Sequence, residues 1–140
     1  MKLSVLFLGG WLMVLACSSR VAEEPAYNFT QSGQASYYAN SLIGNRTASG
    51  AFYHPDSLTA AHRYLPFGTK VQVVNPANQR EVTVTINDRG PYHPRRIIDL
   101  SRSAAEQLGI VRAGVATVTV KAVLPSSVAD SLKQIIEKKK

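Results

Sequence analysis

Residues 80–91 read REVTVTINDRGP, and residues 96–101 read RIIDLS. In the first stretch Val82, Val84 and Ile86 fall on one side of an extended chain, and Thr83 and Thr85 on the other. Strict alternation of this kind marks a strand that buries one face and leaves the other polar. The same pattern recurs in Thr69–Asn75 (TKVQVVN), which ends in the turn Pro76-Ala77-Asn78. It recurs again in Val115–Val123 (VATVTVKAV), with Val118 and Val120 on one face. Gln34–Tyr38 is a candidate opening strand. Several short alternating strands joined by turns predict a mainly β domain, a sandwich or small barrel. One short helix is expected over Arg102–Leu108. Ser103 with Glu106 would make a capping box, Ser101 is an equally good N-cap, and Gly109 supplies the stop. A second helix, Ser127–Lys138, trails the domain, with Val128, Leu132, Ile135 and Ile136 as its apolar stripe. The terminal lysines read as a solvated tail or as a contact with anionic headgroups.

The remainder of the chain frames this domain. With 140 residues it has room for one domain, and 45 % hydrophobic content is enough to fold it. The formal charge of +7 favours anionic surroundings: cell-wall polymer, lipid headgroups or nucleic acid. Lys2 precedes an apolar run from Leu3 to Ala16, the layout of a secretory signal over residues 1–16. The single cysteine, Cys17, directly follows a small residue at the cleavage boundary. This resembles the lipobox of bacterial lipoproteins, which implies acylation of Cys17 and a membrane anchor. Ser18 after that cysteine points the anchor to the outer membrane where there is one. Residues 17–32 show no periodicity and read as a flexible tether. Export argues against a nucleic-acid partner. The domain proper is expected over residues 33–124, with 125–140 as a helical tail.

Three polar clusters interrupt the apolar pattern: Arg46-Thr47-Ala48-Ser49-Gly50, Thr59-Ala60-Ala61-His62, and Asn87-Asp88-Arg89-Gly90-Pro91. Asp88 leaves a strand into a Gly-Pro turn. A carboxylate there can be held rigidly and still project into a cleft, or it can form an Asx-type turn paired with Arg89. Asp99 lies between Ile98 and Leu100, placed to accept backbone N–H groups or an arginine. His54, His62 and His93 lack metal-ligand spacing, and Cys17 lies outside the domain. Neither a metal site, a Cys/His nucleophile nor a cofactor site is expected. The aromatic residues near these clusters, Tyr53 among them, divide between core positions and faces that could stack on sugars.

The ordered segments GQASYY, RTASG, LTAAHRYLPFGT, VTINDRGPY, RIIDLSRSAAEQLGI and VTVKAV resemble the rare lipoprotein A (RlpA-like) family over most of residues 33–124. The resemblance implies a six-stranded double-psi β-barrel with one or two short helices. It also implies endolytic lytic transglycosylase activity on peptidoglycan, with a preference for glycan stripped of stem peptides. On that template Asp88 is the catalytic acid and His62 a second catalytic residue. Thr47, Ser49, Tyr53, Asn87, Arg89 and Asp99 would bind or support substrate. Ala51 stands where the family pattern carries a glutamate, which opens an alternative: a weakly active or non-catalytic peptidoglycan-binding lipoprotein. The stretch after Leu124 is too short for the septum-directing module that family members often carry, so septal targeting is not expected. An acid at Asp88 would have to hold a proton at the start of the reaction, and Arg89 would oppose this unless its side chain points away.

Overall fold

A computed structural model describes residues 24–139 of the chain. The segment read as a secretory signal, Cys17 and the first part of the segment read as a tether lie outside the described residues. Six strands close into a barrel: β1 (Ala26–Tyr37), β2 (Thr59–His62), β3 (Lys70–Asn75), β4 (Arg80–Asp88), β5 (Arg96–Leu100) and β6 (Ala116–Pro125). Their order around the barrel is β1-β5-β2-β4-β3-β6. Helix α1 (Arg102–Leu108) links β5 to β6, and α2 (Ser126–Glu137) follows β6. Two strand pairs are parallel, β1 with β5 and β2 with β4, and the other contacts around the barrel are antiparallel.

The alternating stretches build the barrel interior. Val82, Val84 and Ile86 of β4 are buried, as are Val71 and Val73 of β3, Val118 and Val120 of β6, and Ile98 and Leu100 of β5. Ala104, Ala105 and Leu108 of α1 join the same core, and Ile110 packs beside them. Ser101 is the N-cap of α1: its hydroxyl accepts from the Ala104 amide at 3.3 Å. Glu106 pairs instead with Arg102 at 2.9 Å, so the capping box does not form. Gly109 ends the helix in the left-handed conformation at φ 74°, where a side chain would also crowd Asn78 and Arg80.

Two sequence expectations need correction. Residues 26–32, read as tether, form the first half of β1 and pair with β6 from Ala26↔Pro125 onward. The segment escaped recognition because its outward positions are polar and its one core anchor is Phe29. A closed barrel nonetheless supplies this strand with hydrogen-bond partners. In α2 the apolar stripe is shorter than expected. Ala129 and Leu132 are buried and Val128 packs on the core, whereas Ile135 is exposed.

The paired segment has a measurable consequence. A chain starting at Glu24 keeps its full stability. A chain starting at Gly33 loses the Phe29 anchor and half of β1, and is expected to be destabilised by about 3 kcal/mol or more. Denaturant titration of the two chains reads this directly, and coincident midpoints would return residues 26–32 to a tether.

Candidate functional site

The site is laid out by the register of three neighbouring strands. Ala61 of β2 lies opposite Asp88 of β4 on one side and opposite Asp99 of β5 on the other. Residues directly opposite across a sheet share a face, so both carboxylates stand on the same face with only a methyl group between them. The β2–β4 register shifts between Ala60 and Ala61, skipping Asn87. Without that irregularity Asn87, and not Asp88, would stand beside Ala61. Local shifts of this kind re-aim a side chain at the end of a strand.

Asp88 is held from several sides. Its Oδ1 accepts the amides of Ala48 and Arg89, both at 2.8 Å. Its Oδ2 accepts the hydroxyl of Tyr38 at 2.6 Å. Burial, the hydrogen bond to Asp88 and the Asp88 charge, in that order, push the Tyr38 phenol well above its usual range. Tyr38 therefore stays neutral and keeps its proton for this contact. Its ring leans on Tyr53 at a centroid distance of 4.7 Å, and the Tyr53 hydroxyl accepts the Arg102 amide at 3.2 Å.

The Arg46–Gly50 loop closes the other side. Thr47 bonds the Ala51 carbonyl through its amide at 2.7 Å and its hydroxyl at 2.9 Å. Ser49 bonds the Thr47 hydroxyl at 3.0 Å, and its amide donates to the Asn87 carbonyl at 3.2 Å. Thr47 and Ser49 thus shape the loop that delivers the Ala48 amide to Asp88. Ala51 and Phe52 are exposed at its end, with the Arg46 guanidinium 4.5 Å above the Phe52 ring. The side-chain carbonyl of Asn87 is buried and has no hydrogen-bond partner among the described residues.

Arg89 does not pair with Asp88 through its side chain. Its guanidinium donates to the carbonyls of Leu65 at 2.9 Å and His62 at 3.3 Å, and lies 4.0 Å above the Phe67 ring. The inert ion-pair reading of Asp88 therefore fails on geometry. Asp99 is occupied: it accepts the Ser36 hydroxyl, and Arg96 lies 3.8 Å away while bonding the same hydroxyl at 2.8 Å.

His62 is not brought to Asp88. It neighbours Ala61 along β2 and so projects from the opposite face, inside the barrel beside Phe29. Its Nδ1 accepts the amides of Tyr64 and Leu65 at 3.2 and 3.1 Å. That leaves Nε2 as the donor to Gln31 Oε1 at 2.9 Å. Burial, then the charges of Arg89 and Arg63, lower its pKa to about 4. The neutral ring fixes the turn after β2, and its carbonyl holds Arg89. Tyr38 and Gln31 are the residues that sequence reasoning passed over. Tyr38 sits in the quoted GQASYY segment but carries no pattern that separates it from a core aromatic.

A groove of about 830 Å³ runs past Phe29, Phe67, Lys70, Lys121, Val123 and Val128. It contains neither Asp88 nor Asp99. Among the described residues no group of histidine, cysteine and acidic side chains is arranged to hold a metal ion.

Residues 30–120 match the lytic transglycolase family. The chain is 50 % identical over 93 residues to the endolytic peptidoglycan transglycosylase RlpA of Yersinia pestis, covering 66 % of this chain and 26 % of that protein. It is 43 % identical over 106 residues to the RlpA of Vibrio cholerae, covering 76 % and 40 %. The matched region is thus well under half of either relative. Among solved structures, the Clavibacter michiganensis expansin D78N mutant in complex with cellohexaose aligns with a TM-score of 0.55 at 20 % identity, over 69 % of this chain and 50 % of that one. The Streptomyces papain inhibitor aligns with a TM-score of 0.55 at 23 % identity, over 69 % and 94 %. These two likenesses concern the barrel fold.

The state of His62 gives this region a pH signature. The folded chain takes up the His62 proton only near pH 4, against 6.5 for an ordinary histidine. Between those values the unfolded state binds more protons, so stability is intact above about pH 6.5 and falls as the pH drops toward 4. The loss is on the order of 3 kcal/mol. His62→Gln should flatten this acid limb in denaturation midpoints measured from pH 7 to 4.5. An unchanged slope in that variant would assign the acid sensitivity to other groups.

Proposed function

We propose, because the chain belongs to the RlpA-like family of double-psi-barrel lytic transglycosylases, that it cleaves the glycan strands of peptidoglycan at MurNAc–GlcNAc bonds, leaving 1,6-anhydro ends. The reading rests on one observation above the rest: Asp88 is gripped on one oxygen and left with capacity on the other. Two amides fill the lone pairs of Oδ1, whereas Oδ2 has a single partner, the Tyr38 hydroxyl. A proton can therefore cycle on Oδ2 while the carboxyl group stays in place. Tyr38 remains the donor in both states, to one lone pair of Oδ2, and the exchanged proton would sit on the other side of Oδ2, toward the substrate.

The step balances with one acid. The C6 hydroxyl oxygen of the muramic acid residue bonds to its own C1 as the C1–O bond to the departing sugar breaks. Asp88 gives its proton to the departing oxygen and takes up the proton of the C6 hydroxyl. No water is consumed, and the carboxyl group ends as it began. The attacking hydroxyl is already tethered to the reacting carbon, so proximity replaces much of what a second carboxylate does in a hydrolase. Asp99 acts in support: with Ser36 and Arg96 it fixes the strand that flanks Ala61. His62 acts as a positioning residue through the turn and Arg89. Action on peptidoglycan places the protein in the cell envelope, and acylation of Cys17 would hold it at a membrane.

Ala51 supports a second reading, a lipoprotein that binds glycan and turns it over weakly. It ends the loop that supplies the Ala48 amide, and a methyl group cannot exchange a proton. Purified protein and denuded glycan distinguish the two when the products are weighed by mass spectrometry. The enzyme releases fragments with 1,6-anhydro ends, and Asp88→Asn lowers that release by at least about a hundredfold. Ala51→Glu raises it on the order of tenfold if the native loop limits turnover. Glycan retention without anhydro ends in the native protein would leave the binding reading alone.

A further inference from the structure

We infer that Arg63, Arg89 and Lys139 form a subsite for a sugar carboxylate in the cleft bordered by the turn that follows Asp88, the natural ligand being the free lactyl group of muramic acid. The inference rests on the peptidoglycan reading above. A cleft of about 290 Å³ is lined by Arg63, Tyr64, Arg89, Gly90, Tyr92 and Lys139. Three of its six lining residues are cations and none is acidic.

These cations have no carboxylate partner among the described residues. Arg63 donates through Nε to the Pro91 carbonyl and through Nη2 to the carbonyls of His93 and Arg96, the last at 3.2 Å. Arg89 uses Nη1 alone, on the carbonyls of Leu65, His62 and Asp88. Backbone carbonyls fix both guanidinium groups without neutralising them. Nη1 of Arg63, and Nε and Nη2 of Arg89, retain donor capacity. The charges are felt in the protein: both arginines contribute to the depressed pKa of His62. Cations anchored by neutral acceptors, with donors to spare, suit an anion that arrives from outside.

Lys139 enters the cleft from the far end of the chain. Helix α2 packs on β1 and β6 through Ala129 and Leu132, and its direction carries Lys139 to within 5.2 Å of the Tyr64 ring centre. Lys139 thus has a defined place beside the cleft, in addition to the solvated character its sequence context suggested. Tyr92 is 84 % exposed at the rim and offers a face for a sugar ring. The carboxylate is also the chemical difference between bare and peptide-bearing glycan. Attachment of a stem peptide converts the lactyl carboxylate to a neutral amide, removing the charge the cleft is built to meet.

The test uses the full chain and two preparations of denuded glycan. One keeps its lactyl carboxylates; in the other they are coupled to methylamine. Binding and release of 1,6-anhydro ends are measured on both. The subsite predicts roughly tenfold weaker binding and a correspondingly higher KM for the amide, with kcat little changed. Lys139→Gln should weaken binding of the acidic glycan about threefold and leave the amide unaffected. Equal binding and equal KM for both glycans, with anhydro ends still released, would overturn the subsite and leave the enzyme standing. Discrimination in binding with no release from either would overturn the transglycosylase reading and leave the subsite. An Arg63→Gln chain that folds by circular dichroism should lose the discrimination, and full discrimination in that variant would also count against the subsite.

Discussion

The register between β2 and β4 governs the geometry of the candidate site. One skipped residue at Asn87 sets Asp88 beside Ala61, on the face that also carries Asp99. From that placement the other contacts follow. Asp88 comes within reach of Tyr38, which leaves the end of β1 next to β5, and of the Ala48 amide in the loop that follows. A normal register would turn the carboxylate away from both. A larger side chain at position 61 would enter the space between the two acids.

Opposite faces of the same strand perform separate tasks. Ala61 floors the carboxylate site, while Ala60 and His62 turn toward the barrel interior. The interior histidine is neutral, bonded at both nitrogens, and tied to the cationic side chains through the carbonyl it offers Arg89. This arrangement lets Arg89 donate its backbone amide to Asp88 and send its guanidinium elsewhere. One residue thus organises the acid without neutralising it. Gln31, the partner of the histidine, belongs to the part of β1 that looked like a tether. The early strand is therefore connected to the site through the core.

Much of the barrel was legible because alternation is a local signal. Val82-Thr83-Val84-Thr85-Ile86 declares its buried face without reference to any other segment, and β3, β6 and α1 were as plain. The first half of β1 was not legible because Phe29 is its one core anchor, and its strand state depends on β6, more than ninety residues away at Thr30, which pairs with Lys121. The site divides in the same way. Asp88 stood out because it breaks an apolar strand at a Gly-Pro turn. Its partners did not, since contacts such as Tyr38–Asp88 span fifty residues and depend on closure of the barrel. In the fold His62 bonds the turn after β2, Thr47 and Ser49 bond within the Arg46–Gly50 loop, and Asp88 Oδ2 has the Tyr38 hydroxyl as its partner.

Alanine at position 51 bears on which steps the proposed reaction could use. A second carboxylate is indispensable where water must be activated on the far side of the sugar ring. It is dispensable where the nucleophile is the substrate's own hydroxyl and the same acid serves both proton transfers. Asp99 does not substitute for the missing group, because Ser36 and Arg96 already occupy it. What the loop retains is the backbone: Thr47 and Ser49 hold its shape, and the Ala48 amide reaches Asp88 whatever side chain stands at position 51. Alanine leaves no titratable group at position 51, and the contacts that hold Asp88 do not depend on its side chain. The proposed transglycosylase route, whose nucleophile is tethered to the reacting carbon, makes the smaller demand on position 51.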